Sequence, residues 1–262
     1  MSAPSLATRA MDLIASEWTK LRSVRSTFWT LLVAVVTPVA VSAVVAFAFA
    51  NSPKAGAEPA PPPDPLLPEV ISLEYAVIAV AVLGVLAFTA EYSTGLIRVT
   101  FAAAPRRRAV LAAKAAVLAA VTLAVGEGVA FASFGLDQAV LAGHHQGVSL
   151  GHPGVPGAVL CAGLLLCVCT LLGLALGAIV RHTAGGIAAT IAVIVVPGIV
   201  ALLPSPWSGR IGRFTLLDAA RRVSALHPAA DLFSPGWSLL VVLAWPAAAL
   251  AVAAILITRR DA

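Results

Sequence analysis

Residues 157–180 read GAVLCAGLLLCVCTLLGLALGAIV, without a single charged side chain. The hydrocarbon core of a bilayer is about 30 Å thick, so a helix needs about 20 apolar residues to cross it. This stretch exceeds that length. Working outward, five further apolar runs approach or reach it: 28–50, 70–90, 109–134, 184–203 and 238–258. Of the 262 residues 60% are hydrophobic and 11% charged, where a soluble domain carries about 25% charged residues. An ordinary soluble protein is therefore excluded. The expected fold is all-α, a polytopic membrane protein with six transmembrane helices in one domain spanning residues 1–262.

The segment before the first run, residues 1–27, has its own pattern. Leu6, Ala10, Leu13, Ile14, Trp18 and Leu21 recur at helical spacing, while Arg9, Asp12, Ser16 and Lys20 fall largely elsewhere on the wheel. That predicts an N-terminal amphipathic helix on the membrane surface, with Lys20, Arg22 and Arg25 set to meet lipid headgroups. A plain basic flank of the first span is the alternative. Ala48-Phe49-Ala50 resembles a signal-peptide cleavage site, but the polar region ahead of it is too long and the apolar run exceeds the usual length of about 7–15 residues. The first run is expected to be a retained helix.

The connectors differ in character. Asn51 to Pro68 contains Pro61-Pro62-Pro63 and predicts an extended, solvated link. Glu74 is expected at an interface. Gly135 to Pro156 reads as a polar connector with His144, His145 and His152. Residues 204–237 form the longest polar connector, in which Leu216, Leu217, Ala220, Val223 and Leu226 line one side of a predicted interfacial helix, bracketed by Trp207 and Trp237.

Six spans put both termini on one side. If that side is inside, the inner segments hold twelve Lys and Arg: Arg9, Lys20, Arg22, Arg25, Arg98, Arg106, Arg107, Arg108, Lys114, Arg181, Arg259 and Arg260. The outer ones hold five: Lys54, Arg210, Arg213, Arg221 and Arg222. The bias predicts cytoplasmic termini. The four arginines of the last outer connector oppose it, and are expected to anchor an interfacial helix at the headgroups. With charge explained by topology, the net +5 gives no reason to expect a nucleic-acid partner.

Catalytic motifs are absent from the sequence. There is no GxxxxGK[ST] phosphate loop, no HExxH and no recognisable Ser, His and Asp set. Cys161, Cys167 and Cys169 share one apolar run, which suggests neither a disulfide framework nor a metal pair. The three connector histidines lack spacing that would preorganise ligands, so no metal and no cofactor is expected. Glu127, between Gly126 and Gly128 in the third run, is the sharpest feature. An ionised group at mid-span costs about 2.5–3.5 kcal/mol on insertion scales. It is a candidate for a translocation path, unless it sits close enough to the outer interface to reach water. The flanking glycines would admit another backbone, and Gly173 with Gly177 forms a GxxxG helix-packing pattern.

Between the second and third spans lies residues 91–114, EYSTGLIRVTFAAAPRRRAVLAAK. Its opening resembles, together with other segments, a known family. Those segments are Glu17-Trp18-Thr19-Lys20-Leu21-Arg22-Ser23, Glu91-Tyr92-Ser93-Thr94-Gly95-Leu96-Ile97-Arg98, Pro105-Arg106-Arg107 before Lys114, Arg181-His182-Thr183-Ala184-Gly185 and Arg259-Arg260-Asp261. In this order the chain resembles the ABC type 2 exporter permeases, in particular the short six-span permeases of actinobacteria.

The resemblance implies a membrane subunit of a bacterial plasma membrane that pairs with a second permease subunit, as a homodimer or heterodimer, and docks on ATPase subunits. No nucleotide-binding domain is fused here, so a separate ABC ATPase subunit is implied, with membrane lipids around both. Residues 91–108 would be the cytoplasmic coupling loop. Its partner-coupling residues would be Glu91, Thr94 as a helix N-cap, Leu96, Ile97, Arg98 and Phe101, with Arg106, Arg107 and Arg108 serving topology and headgroups. The chain itself would not be an enzyme. Two other readings stand beside this one: a permease-like scaffold or immunity or sensing subunit without transport, and an intramembrane enzyme built on Glu127 or the histidines.

Overall fold

The computed structural model describes residues 6–51, 64–103, 106–144, 146–200, 207–212, 214–226 and 234–259. The expected Pro61-Pro62-Pro63 link, Lys54, Pro105, His145, Arg213 and the terminal Arg260-Asp261 lie outside them, as do the side chains of Arg98, Phe101 and Trp207. Among the described residues the regular structure is helical throughout. It comprises α1 (Leu6–Ser23), α2 (Arg25–Ala50), α3 (Leu67–Ser93), α4 (Leu96–Ala103), α5 (Arg107–Ala142), α6 (Val155–Val180), α7 (Thr183–Val200), α8 (Trp207–Gly212), α9 (Leu216–Ser224) and α10 (Pro235–Arg259). Five of them, α2, α3, α5, α6 and α10, are long and apolar enough to cross a membrane, and Thr183–Val195 of α7 is a shorter apolar helix. The protein is an all-helical, membrane-embedded, multi-pass protein.

The uncharged run that opened the reading is the central helix. In its most apolar window 72% of α6 is buried, against 22% in α2 and in α10. It packs on α3, α5, α10, α7 and α9. Small residues make this possible. A Cβ added to Gly173 would stand 2.1 Å from the Ala81 carbonyl oxygen of α3, and one added to Gly84 of α3 would stand 2.0 Å from that of Thr170. The two backbones are in direct contact there, which is how helices associate where lipid removes the hydrophobic drive between them. Gly177 sits against Val85 in the same seam.

The helices run past one another between two ends. One end carries α4, where α3 finishes and α5 begins. The other carries α9, where α3 starts, α5 finishes and α6 starts. At the α4 end α3 stops sharply: Thr94 closes the helix, and Gly95 adopts φ +73°, the left-handed conformation that glycine takes without a Cβ penalty.

Three elements depart from the expectations. First, α5 does not end near 134 but continues through Gly135 to Ala142, making 36 residues, or about 54 Å at about 1.5 Å each. Gly135 faces open space, so its only cost is helix propensity, about 1 kcal/mol. The added turns bury Leu141, and Asp137, whose burial is offset by the Ser42 hydroxyl. Second, the apolar face of α9 is packed into the bundle. Leu216, Ala219 and Ala220 are buried in the main core beside Val155, Val159 and Leu73. Third, α1 packs on α5 and α2. Its inward face holds Leu13, Glu17 and Leu21, while Met11, Ile14 and Trp18 face outward.

Candidate functional site

The polar chemistry of the α4 end is concentrated in four side chains from three helices. Glu17 and Lys20 come from successive turns of α1, Glu91 from the last turn of α3 and Lys114 from the second turn of α5. Lys114 donates to Glu17 Oε2 and, at 2.7 Å, to Glu91 Oε1. Lys20 donates to Glu17 Oε1 at 2.7 Å and to Glu91 Oε1 at 3.1 Å. Two acids thus alternate with two ammonium groups in a closed ring. Thr100 of α4 adds a weaker bond to Glu91 Oε2 at 3.4 Å.

Burial divides the ring into an inner and an outer half. Glu17 is 3% exposed and Lys114 5%, whereas the Lys20 side chain is 40% exposed. Removing ions from water is expensive, and mutual attraction recovers that cost only with good geometry and all hydrogen-bonding groups used. The two shared carboxylates meet this condition. Burial by itself would lower the Lys20 pKa, but hydrogen bonds and charge from Glu17 and Glu91 outweigh it and hold the ammonium above its ordinary 10.5.

Further polar contacts lie near this end of the bundle. Arg181, in a left-handed conformation at the end of α6, lies 5.4 Å over the Tyr92 ring. Thr183, opening α7, donates to Thr89 of α3 at 3.0 Å. Arg107 donates to the Ile257 carbonyl and Arg108 to the Ala254 carbonyl and the Thr258 hydroxyl, at 3.3–3.4 Å. These guanidiniums hold the end of α10, where the helix dipole favours cations. Beside the ring opens a cavity of about 430 Å³ between α1, α2, α3 and α5, with apolar walls such as Leu83, Leu86 and Val117 and with Lys20, Glu91 and Lys114 at its polar side.

The residues expected to couple to a partner separate into distinct roles. Glu91 is a member of the ring. Thr94 does not cap α4: its hydroxyl donates back to the Ala90 carbonyl at 2.8 Å, and it closes α3. Gly95 then occupies the position before α4, which explains the failure of the N-cap expectation. Ile97 is buried against the bundle, in one cluster with Phe88, Leu118 and Ile257. Leu96 and Val99 are exposed on α4. Helix α4 is therefore a short amphipathic element gripped by Ile97 and turned outward with apolar side chains.

Glu127 occupies the seam between α5 and α6. A Cβ on Gly126 would stand 2.4 Å from the Gly163 carbonyl oxygen, and one on Gly163 would meet the Glu127 carboxylate at 2.8 Å. Gly128 faces open space, so only one of the two flanking glycines admits a neighbour. Glu74 is paired with Arg221 of α9, whose Nη2 donates to Glu74 Oε2 at 2.8 Å, and Arg221 also reaches Asp218 at 3.4 Å. Arg221 thus fastens α9 to α3. Cys161, Cys167 and Cys169 are free thiols. Among the described residues no group of three His, Cys, Asp or Glu is placed to hold a metal ion.

Sequence reasoning quoted Glu17, Lys20 and Lys114 without joining them. The signal was available: opposite charges three residues apart in α1, and an acid and a base at the two ends of 91–114. No family model and no curated protein matches this chain.

Proposed function

We propose that the chain is the membrane-spanning permease subunit of an ABC transporter, of the exporter type, worked by a separate ATPase subunit. The observation that carries the reading is α4: a short helix with exposed Leu96 and Val99, set at a fixed glycine turn and rooted through Glu91 in a buried ion ring that ties α1, α3 and α5. A lever needs an exposed grip and a rigid root, and this element has both. In this reading α7 completes six spans, the α4 end is cytoplasmic, and the sparsely buried α2 and α10 meet lipid and a second permease subunit. The cavity beside the ring, apolar with a charged margin, favours an amphiphilic cargo.

The test is reconstitution in proteoliposomes with a separately expressed ABC ATPase subunit from the same source, followed by ATP-driven accumulation of candidate amphiphiles. Stable association together with ATP-dependent movement supports the proposal. Association without movement of any cargo would favour the scaffold or sensing reading, and no association would remove the permease reading.

A further inference from the structure

The cavity beside the ion ring has an apolar side and a side rich in hydrogen-bond donors. Its volume, about 430 Å³, lies in the lower part of the range of about 300–1,000 Å³ typical of small-molecule sites. Leu21 of α1, Leu83 and Leu86 of α3, and Val117 and Leu118 of α5 supply apolar walls. A methylene is close in size to a water, whose share of liquid volume is about 30 Å³, so the space takes one chain of about 14 carbons.

The polar side combines the ring with the junction of α1 and α2. Glu17, Lys20, Glu91 and Lys114 line the cavity, as do Ser23, Val24, Ser26 and Thr27. The four charges cancel, and both acids are already engaged. Glu17 accepts from both ammonium groups, as does Glu91 Oε1, while Thr100 donates to Glu91 Oε2. An ammonium carries three donors, and the half-exposed Lys20 gives two of them to Glu17 and Glu91, which leaves one. Thr27 is 8% exposed, and its hydroxyl makes no hydrogen bond among the described residues. Such a nearly buried hydroxyl is costly without a partner. Helix α2 adds the N–H groups of its first turn, which the side chain of Val24 does not cap and which no acid in that turn faces. Arg22 and Arg25 flank the junction, Arg22 lying 5.8 Å over the Trp18 ring. The charge left over at this side is therefore positive.

We propose that this cavity binds one acidic single-chain amphiphile, with its carboxylate or phosphate head received by Lys20, Thr27 and the first turn of α2 and its chain laid along the walls from α3 and α5. The head takes the third proton of Lys20, so the ring stays closed around Glu17 and Glu91. The inference deepens the amphiphilic-cargo part of the proposed function and rests on that reading only for the use made of the occupant, because binding needs no ATPase. Absence of binding would leave the permease reading standing, and a bound amphiphile that no ATPase moves would leave the site standing.

The test is photolabelling of the full chain, without any ATPase, in phosphatidylcholine nanodiscs by myristic acid carrying a diazirine near its chain end, with adducts located by mass spectrometry. Adducts are expected around Leu83, Leu86 and Val117. They should saturate and be displaced by excess myristic acid or lysophosphatidic acid, but not by myristyl alcohol or lysophosphatidylcholine. Lys20→Met should weaken binding about tenfold and Thr27→Val about fivefold, the worth of a charged and of a neutral hydrogen bond. Leu86→Trp, which fills the apolar side, should abolish the adducts; should a thermal melt show it unfolded, the affinities of Lys20→Met and Thr27→Val decide. Unsaturable labelling spread along the exposed faces of α2 and α10 would overturn the proposal, as would equal displacement by the alcohol or by lysophosphatidylcholine. Unchanged affinity in both Lys20→Met and Thr27→Val would do the same. Loss of the adducts when phosphatidylglycerol enters the disc, with no displacement by myristic acid, would assign the cavity to a membrane lipid and equally refute it.

Discussion

Replacing Lys114 with Met removes the inner cation of the ring while keeping its length and most of its apolar stem. At 2.7 Å the Lys114–Glu91 pair attracts by about 6 kcal/mol for an effective dielectric constant of about 20. Desolvation of the three buried groups offsets most of that, so the net worth of the intact ring is small. The damage on breaking it is not small. Glu17 and Glu91 would face each other with only the half-exposed Lys20 between them. Removing one partner of a buried pair typically costs about 3–5 kcal/mol, and this is the expected loss for Lys114→Met in reversible unfolding in mixed micelles. Lys20→Met should cost no more than about 1 kcal/mol, because an exposed pair is screened and entropically loose. The triple variant Glu17→Gln, Glu91→Gln, Lys114→Met, with no charge left unpaired in the interior, should recover most of the stability lost by Lys114→Met. Equal losses for Lys114→Met and Lys20→Met would refute the division into inner and outer halves.

Other consequences follow from the same geometry. Leu96→Asp and Val99→Asp change exposed side chains and should shift stability by less than about 0.5 kcal/mol, yet on the proposed reading they abolish capture of an ATPase subunit and transport; on that reading Phe101→Asp also abolishes capture. Ile97→Asp places a charge in the bundle and should unfold it, which a thermal melt will separate from a docking defect. Gly173→Ala and Gly84→Ala force α3 and α6 apart and should each cost about 1–3 kcal/mol, whereas Gly128→Ala meets open space and should gain up to about 1 kcal/mol from helix propensity. Because folding raises the Lys20 pKa, its contribution is complete below the unfolded value of about 10.5 and is lost as pH rises through the folded value. The gap in unfolding midpoint between wild type and Lys20→Met should therefore close in strongly alkaline buffer and stay constant from pH 6 to 9.

What could be read directly from the chain is what lipid dictates. Runs such as 157–180 are long because the bilayer is thick, so five spans and the central place of small residues follow from local composition. Less legible were the places where a polar side chain serves the bundle. Lys20 was grouped with the outward face of α1 because polarity suggested solvent, yet Glu17 beside it turns inward to meet Lys114, ninety-seven residues away in sequence. Asp137 read as part of a connector because Gly135 and Asp137 look like loop residues; Ser42, ninety-five residues away, is what makes its burial tolerable. The pairing of Arg221 with Glu74 was missed because Glu74 lies in another span. In each case the partner is distant along the chain, and periodicity within one window carries no information about it.

The use of ions to root α4 bears on how the element would work. An apolar root would bind α3 to α5 without choosing among registers, since hydrophobic contact is non-directional. A ring of two acids and two lysines has one register in which every oxygen is used, and any slip of α3 against α1 or α5 leaves a buried charge exposed to nothing. The root is therefore stiff against sliding although it adds little net stability. On the proposed reading, a push delivered to Leu96 and Val99 would move α1, α3 and α5 together as one body, with the adjoining cavity giving space for that displacement. The uncharged triple variant separates these two properties: it should fold with regained stability while losing the register, so that ATP hydrolysis continues and cargo movement does not.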